Sequence, residues 1–355
     1  MKHWFPEVDI LKATAILLIV FGHIDNNVSS YDLVGSLGYY NGTIGLSIFF
    51  FISGFLLSQT DSVITSLRDF KKFYKKKFIR IYPLYWAALG SLVVIFGFLN
   101  ISPGHVSPYN FSLDNMLLHL SGLQGIFPWN EIQSMWFVGV IVLFYLLYPV
   151  IAYVPKNLSG TLAVSSGIFV FLLILHVFFG LIHEGALEYY PLFVSGILIN
   201  QIVYSSKKIT DGRYLKNFLS GNLCLAGIMF LVLALRKFHQ FNLQVLPGII
   251  IHMVLTGAMI VSCSIFLIVT RLFVKIQGKI MAGISLIAFA TYAIYLFHHQ
   301  VLAVFALVTG SVIRNITLQD MIILTCGFAL SVVCGILIQK TEQYLFMKYL
   351  SAHAR

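Results

Sequence analysis

The chain has 355 residues, of which 59% are hydrophobic and only 10% charged. That is far from the composition of soluble domains, where roughly a quarter of residues are charged, and it excludes a soluble globule. The 23 Lys and Arg against 13 Asp and Glu give a formal charge of +10, but the cations gather in short segments between apolar runs, which points to a membrane rather than to a nucleic-acid partner.

Ten runs are apolar and long enough to cross a hydrocarbon core of about 30 Å as helices. They cover residues 9–25, 43–59, 82–101, 135–154, 160–182, 188–204, 219–235, 246–270, 281–309 and 320–339. The residue alternation of a membrane β-barrel is absent. The expected fold is an all-α polytopic bundle, one membrane domain over residues 1–345 with a short tail at 346–355. Asp9 and Lys12 interrupt the first run and no small-residue cleavage site follows it, so it reads as a retained helix rather than a signal peptide. Cys224, Cys263, Cys326 and Cys334 lie inside apolar runs without metal-site or disulfide spacing and read as packing residues.

Charge sets the expected orientation. With the N-terminus inside, the cytoplasmic segments collect Lys2, seven cations between 60 and 81, Lys156 and the basic residues of 205–218, 271–280 and the C-terminus. The external segments hold Arg236, Lys237 and Arg314. By the positive-inside rule this is a multi-pass protein of the cell membrane with both termini cytoplasmic. One long external segment, 102–134, contains a possible short amphipathic helix between Pro and Gly punctuation, suited either to lining an acceptor site or to an interfacial lid.

Ionisable residues inside spans are candidates for function because insertion disfavours them by about 2.5–3.5 kcal/mol or more. In "DILKATAILLIVFGH", Lys12 and His23 lie 11 residues apart, within roughly 20° of one helix face and about 16 Å apart along the axis. Both can line one passage. Asp9, one turn before Lys12, offers a partner for a buried cation, which is the structural reading of Lys12. An imidazole at position 23 can take a proton from a hydroxyl, or can simply be a hydrogen-bonded core histidine. His298 and His299 in "TYAIYLFHHQ" bring two further imidazoles toward the outer half of the ninth run. Adjacent histidines on a helix point about 100° apart, and no carboxylate is spaced with them, so no metal site is expected. In "RDFKKFYKKKFIRIYPLYW", Arg68, Lys71, Lys72, Lys75, Lys76, Lys77 and Arg80 alternate with aromatics. Such a run suits anionic lipid headgroups, and equally a phosphate-bearing donor entering from the cytosol.

Four strings in order carry a resemblance. Lys12, ten positions and His23 stand where one family has a basic residue, ten positions and histidine, with Asp9 at its acidic position. "GLSIFFFISGFLLS" is close to that family's Gly, Phe-Phe and Ser-Gly-Phe core and places Ser53 and Gly54 at the small-residue positions. "KKKFIRIYPLYW" puts Lys77 and Arg80 at its cationic pair, followed by Tyr82 and Pro83, and "TYAIYLFH" sets Tyr292, Tyr295 and His298 in register with its Ser-Tyr, Tyr-Leu and His pattern. On these motifs the chain resembles the acyltransferase-3 group of integral-membrane acyltransferases, and the match spans most of its length. There is one departure: where many members carry a glutamate five residues after the tryptophan of the fourth helix, Trp136 is followed by Ile141, with Glu131 a speculative substitute.

The resemblance implies an O-acetyltransferase-like enzyme without a permanently bound cofactor. Acetyl-CoA or another acyl-CoA would be the donor, its phosphates held by Lys76, Lys77, Arg80 and Tyr82. A glycan or lipid-linked saccharide such as an exopolysaccharide would be the acceptor. His23 would act as base or transient acyl carrier, His298 or a tyrosine such as Tyr295 would stabilise the oxyanion, and Lys12 would line the donor passage. A polysaccharide exporter of the same fold is the alternative, which the missing glutamate favours.

Overall fold

The structure is a computed structural model that describes residues 5–24, 27–28, 31–61, 64–101, 110–128, 132, 135–153, 157–204, 256–267 and 278–353. Among these residues every element is a helix. We number α1 Pro6–Ile24, α2 Tyr31–Thr60, α3 Leu67–Leu92 with a π-helical extension Val93–Phe98, α4 Leu113–Ser121, α5 Trp136–Tyr153, α6 Leu158–Phe179 and α7 Glu184–Ile199. Three more segments complete the set: α8 Thr256–Leu267, α9 Lys279–Val312, and α10 Ile316–Ile322, which runs through a π-turn into α11 Phe328–His353.

Among the described residues six segments are long and apolar enough to cross a membrane: Asn41–Thr60, Leu67–Phe98, Trp136–Tyr153, Leu158–Phe179, Lys279–Val312 and Ile316–Tyr349. This is fewer than the ten expected, for identifiable reasons. Helix α1 carries Glu7, Asp9 and Lys12 within its 19 residues, and α7 has only 16. The expected span 219–235, the parts of 246–270 outside α8, Cys224, Arg236, Lys237, Glu131 and the basic residues of 205–218 lie outside the described residues.

Cross-helix contacts fix the direction of each helix. Asp9 meets Ser285 and His23 meets His298, so α1 and α9 run the same way. Tyr292 donates to the Ile81 carbonyl and Gln300 to Ser91 Oγ, so α3 runs with them. Helix α2 is opposed to α1, since Phe5 packs on Phe55 while Gly45 abuts Ala15 and Ile19. Helix α5 is opposed to α3, with Tyr74 on Leu146 and Tyr85 joined through Gln124 to Met135. This is the alternation that a chain threading a membrane back and forth must show.

Two glycines set the closest crossing. A Cβ on Gly54 would fall on the Phe193 carbonyl, and one on Gly196 would fall on that of Phe51, so α2 and α7 pack backbone to backbone. This is the small-residue packing by which helices associate within lipid. Ser53, beside Gly54, is half-buried.

The described part of the expected external loop, residues 110–128 and 132, packs against α3 and α5. The short helix within it exists as α4, and three aromatic donors from α3 hold its C-terminal carbonyls. Tyr82 Oη donates to Ser121 O at 2.7 Å, Tyr85 Oη to His119 O at 2.8 Å and Trp86 Nε1 to Leu120 O at 3.0 Å. Among the described residues the Leu120 and Ser121 carbonyls have no backbone partner, while that of His119 also accepts from the Gly122 amide at 3.0 Å, so the aromatics complete the C-terminal cap. Behind them Gln124 donates to both Tyr85 Oη and Met135 O, and His119 Nε2 accepts from the Ile132 amide. Tyr85 is fully buried. Tyr85→Phe leaves the His119 carbonyl with the Gly122 amide alone and strands one Gln124 donor, and is expected to lower stability by about 1–3 kcal/mol. A lower melting temperature of the purified protein in detergent is the readout.

Candidate active site in the bundle core

Three imidazoles from two helices meet in the core. Helix α1 brings His23, one turn past Ile19, and α9 brings His298 and His299 from near the middle of its 34 residues. Ring centroids are 5.1 Å apart for His23 and His298, 4.6 Å for His23 and His299, and 4.3 Å for His298 and His299. His298 and His299 are buried, and His23 is partly so.

The hydrogen bonds fix tautomers. His298 Nδ1 lies 2.6 Å from the Tyr295 carbonyl, which only accepts, so that nitrogen carries the proton and Nε2 carries a lone pair. His23 Nδ1 lies 2.9 Å from the Ile19 carbonyl and 3.3 Å from His298 Nε2. Its N–H is shared between the two acceptors, which leaves His23 Nε2 as a free base. The result is a chain from His23 Nε2 through its own N–H to His298 and on to the Tyr295 backbone. His299 Nε2 is buried without a hydrogen-bond partner.

The surroundings are apolar. Tyr295 packs against Phe137 with ring centroids 4.6 Å apart. Next to the histidines, Ile24, Val28, Leu302 and Ile323 form a separate buried apolar cluster. Ile141 is buried in the main core, so no carboxylate stands at this position on α5. Trp136 does not face the imidazoles of α1 and α9 but stacks on His183 at 4.9 Å, with ring planes 4° apart, where α7 begins.

At the other end of α1, Ser285 Oγ donates to Asp9 at 2.8 Å. Lys12 is attracted by Asp9 and repelled by the Arg80 guanidinium. Arg80 is itself exposed, yet its charge also acts on Tyr145 of α5 and Tyr292 of α9. It therefore stands at an exposed edge of α3 near Lys12 of α1, Tyr145 of α5 and Tyr292 of α9. Lys12 and His23 share the face expected of them, one toward Arg80 and the other among the imidazoles.

The other predicted donor-binding residues are engaged within the protein. Lys76 and Lys77 both bind Asp61, at 2.8 and 2.9 Å, with Lys77 lying over the rings of Phe73 and Tyr145. The Lys77 side chain is 7% exposed and that of Asp61 14%. The Tyr82 hydroxyl is committed to Ser121. Sequence reasoning missed Asp61, although an acid placed directly between an apolar run and seven cations is a signal of charge pairing.

Burial raises the Asp61 carboxyl, but its hydrogen bonds and charge contacts with Lys76 and Lys77 outweigh this and hold it below its ordinary value of 3.8. A carboxyl depressed on folding stabilises the protein above its unfolded value and loses that contribution as pH falls through the folded one. Asp61→Asn strands Lys77 and is expected to destabilise by about 3 kcal/mol, the lower end for a broken buried pair. The melting-temperature gap to the wild type should hold at neutral pH and close only at pH below 3.8.

Comparison with known proteins adds one finding. A family model described as an acyltransferase domain matches residues 5–340, nearly the whole chain. No curated protein and no solved structure matches.

Proposed function

Because the chain belongs to the acyltransferase-3 family, we propose that this membrane acyltransferase moves an acyl group, acetyl in the simplest case, from acyl-CoA on the cytoplasmic side to a hydroxyl of an extracytoplasmic glycan or lipid-linked saccharide. The observation that carries the reading is the oriented pair His23 and His298, joined at 3.3 Å inside the bundle.

His23 Nε2 takes the proton of the acceptor hydroxyl as its oxygen attacks the thioester carbonyl. The attack forms the ester C–O bond and a tetrahedral centre, whose collapse re-forms the carbonyl and breaks the C–S bond, and the imidazolium gives the proton to the departing thiolate. His298 Nε2 accepts from the other side of the His23 ring, fixes its tautomer and shares the positive charge that forms. That role differs from oxyanion stabilisation, since this nitrogen faces His23. A positioned general base contributes about 10²–10⁴-fold to such a step.

Arg80 and Lys12 supply positive charge along the donor's approach. Lys76 and Lys77 extend this cationic patch, with Asp61 fixing their side chains at the membrane edge. The bond between Tyr82 and Ser121 keeps α4 against α3.

The test is mass spectrometry of cell-surface glycans with and without the gene. Loss of one acyl mass from a surface saccharide supports the reading and names the acceptor. A glycan absent from the surface, with its acyl content unaltered, replaces acyl transfer with export.

A further inference from the structure

One feature of the core is unused by acyl transfer. His299 contributes a third buried imidazole whose Nε2 has no hydrogen-bond partner, and leaving such a nitrogen dry destabilises the fold by about 1–3 kcal/mol. The sequence argues against a metal here because neighbouring histidines on one helix diverge. The structure removes that objection: the His23 ring enters from α1, and one nitrogen of each of the three rings lies within 4.8 Å of those of the other two.

The remaining features fit a metal. Ligating histidines characteristically hold their second nitrogen on a backbone carbonyl, as His298 does through Nδ1 on Tyr295. The 3.3 Å between His298 Nε2 and His23 Nδ1 matches the separation of two ligands on a tetrahedral ion with Zn–N bonds of about 2.0–2.1 Å. Side-chain rotation of about 1.5 Å brings in the third nitrogen. Three imidazoles with an open fourth position form a donor set that suits zinc.

We propose that His23, His298 and His299 bind one divalent transition-metal ion of the Zn²⁺ class, and that metal occupancy and acyl transfer exclude one another. The exclusion rests on the acyl-transfer reading; the metal site does not. A metal held by His23 Nδ1 takes the place of the N–H shared with His298, and the neutral ring then carries its proton on Nε2. That nitrogen no longer accepts a proton from a hydroxyl. An anionic fourth ligand from solvent, such as hydroxide, would offset part of the buried charge.

The experiment uses the full chain in detergent, stripped with a chelator and titrated with Co²⁺. One equivalent is expected to develop the visible bands of tetrahedral Co²⁺, and Zn²⁺ to abolish them by displacement. His299→Phe, which keeps an aromatic ring, should elute as the wild type does and lose the bands. Should that variant fail to fold, the wild type decides alone: saturating Zn²⁺ should raise its melting temperature. No tetrahedral spectrum, an unshifted melting temperature, or equal bands in a folded His299→Phe would overturn the site. In the activity arm, labelled acyl transfer should fall in step with Zn²⁺ occupancy and return with chelator, and undiminished transfer at full occupancy would overturn the exclusion. The spectrum needs no acceptor, so failure of the site and failure of the acyl-transfer reading give different results.

Discussion

Gly54→Leu is expected to remove folded protein from the membrane fraction. The first atom of any side chain at position 54 falls on the Phe193 carbonyl of α7, and the facing Gly196 leaves no room for compensation, because its own Cβ would strike Phe51. The obstacle is backbone, which cannot rotate aside, so α2 and α7 must separate. Overpacking of a tight core costs about 1–3 kcal/mol for small insertions, the range expected for Gly54→Ala, and the larger leucine exceeds it. The consequence reaches the site, since α2 also carries Gly45 against Ala15 and Ile19, one turn from His23. Size-exclusion elution and melting temperature in detergent are the readouts. A monodisperse Gly54→Leu protein with a wild-type melting temperature would contradict this packing.

His23→Ala is expected to lower kcat for acyl transfer by about 10²–10⁴-fold, the contribution of a positioned general base. KM for the donor should change little, because the cations proposed to meet it, Arg80 and Lys12, lie at the far end of α1's polar face. His298→Phe should cause a smaller loss in kcat, again without a large change in KM. It removes the acceptor of the His23 N–H but leaves His23 in place with its bond to Ile19. Arg80→Gln should show the opposite split, with KM for the donor rising more than kcat falls. If His23→Ala and Arg80→Gln shared one kinetic signature, the division of labour between the two ends of α1 would fail.

The sequence makes the helices and the polar face of α1 legible, because both rest on local periodicity. Apolar run length marks out helices, and an 11-residue separation places Lys12 and His23 on one side of a helix whatever surrounds it. The pairing of His23 with His298 is half visible: each imidazole stands out as an ionisable group toward the outer end of a span crossing in the same direction, but only packing shows that α1 and α9 are neighbours that bring the rings together. Asp61 was harder to see. Its partners Lys76 and Lys77 lie 15 and 16 residues away across a turn, and a run of seven cations reads as a lipid-facing patch until the acid is placed among them. The segment after α3 illustrates the limit of composition. Its polar, Pro- and Gly-rich character suggests a surface loop, while the capping of α4 by Tyr82, Tyr85 and Trp86 depends on hydrogen bonds spanning 34 to 39 residues.

The spacing argument also has a limit. Treating His298 and His299 as diverging ligands considers a single helix in isolation. The 4.3 Å between their rings, with His23 set against both, arises because α1 packs closely against α9. The two helices together make a cluster that neither makes alone.

The account stands on one passage through the bundle, with donor cations at one end of α1 and the base among the imidazoles beyond. The most direct measurement uses sealed vesicles containing the purified protein, with labelled acetyl-CoA on the Arg80 side and the saccharide acceptor on the other. The account predicts that label reaches the acceptor across the membrane in the wild type and that His23→Ala slows the transfer by about 10²–10⁴-fold. Transfer at an undiminished rate in His23→Ala, or only when donor and acceptor share one side, would contradict it.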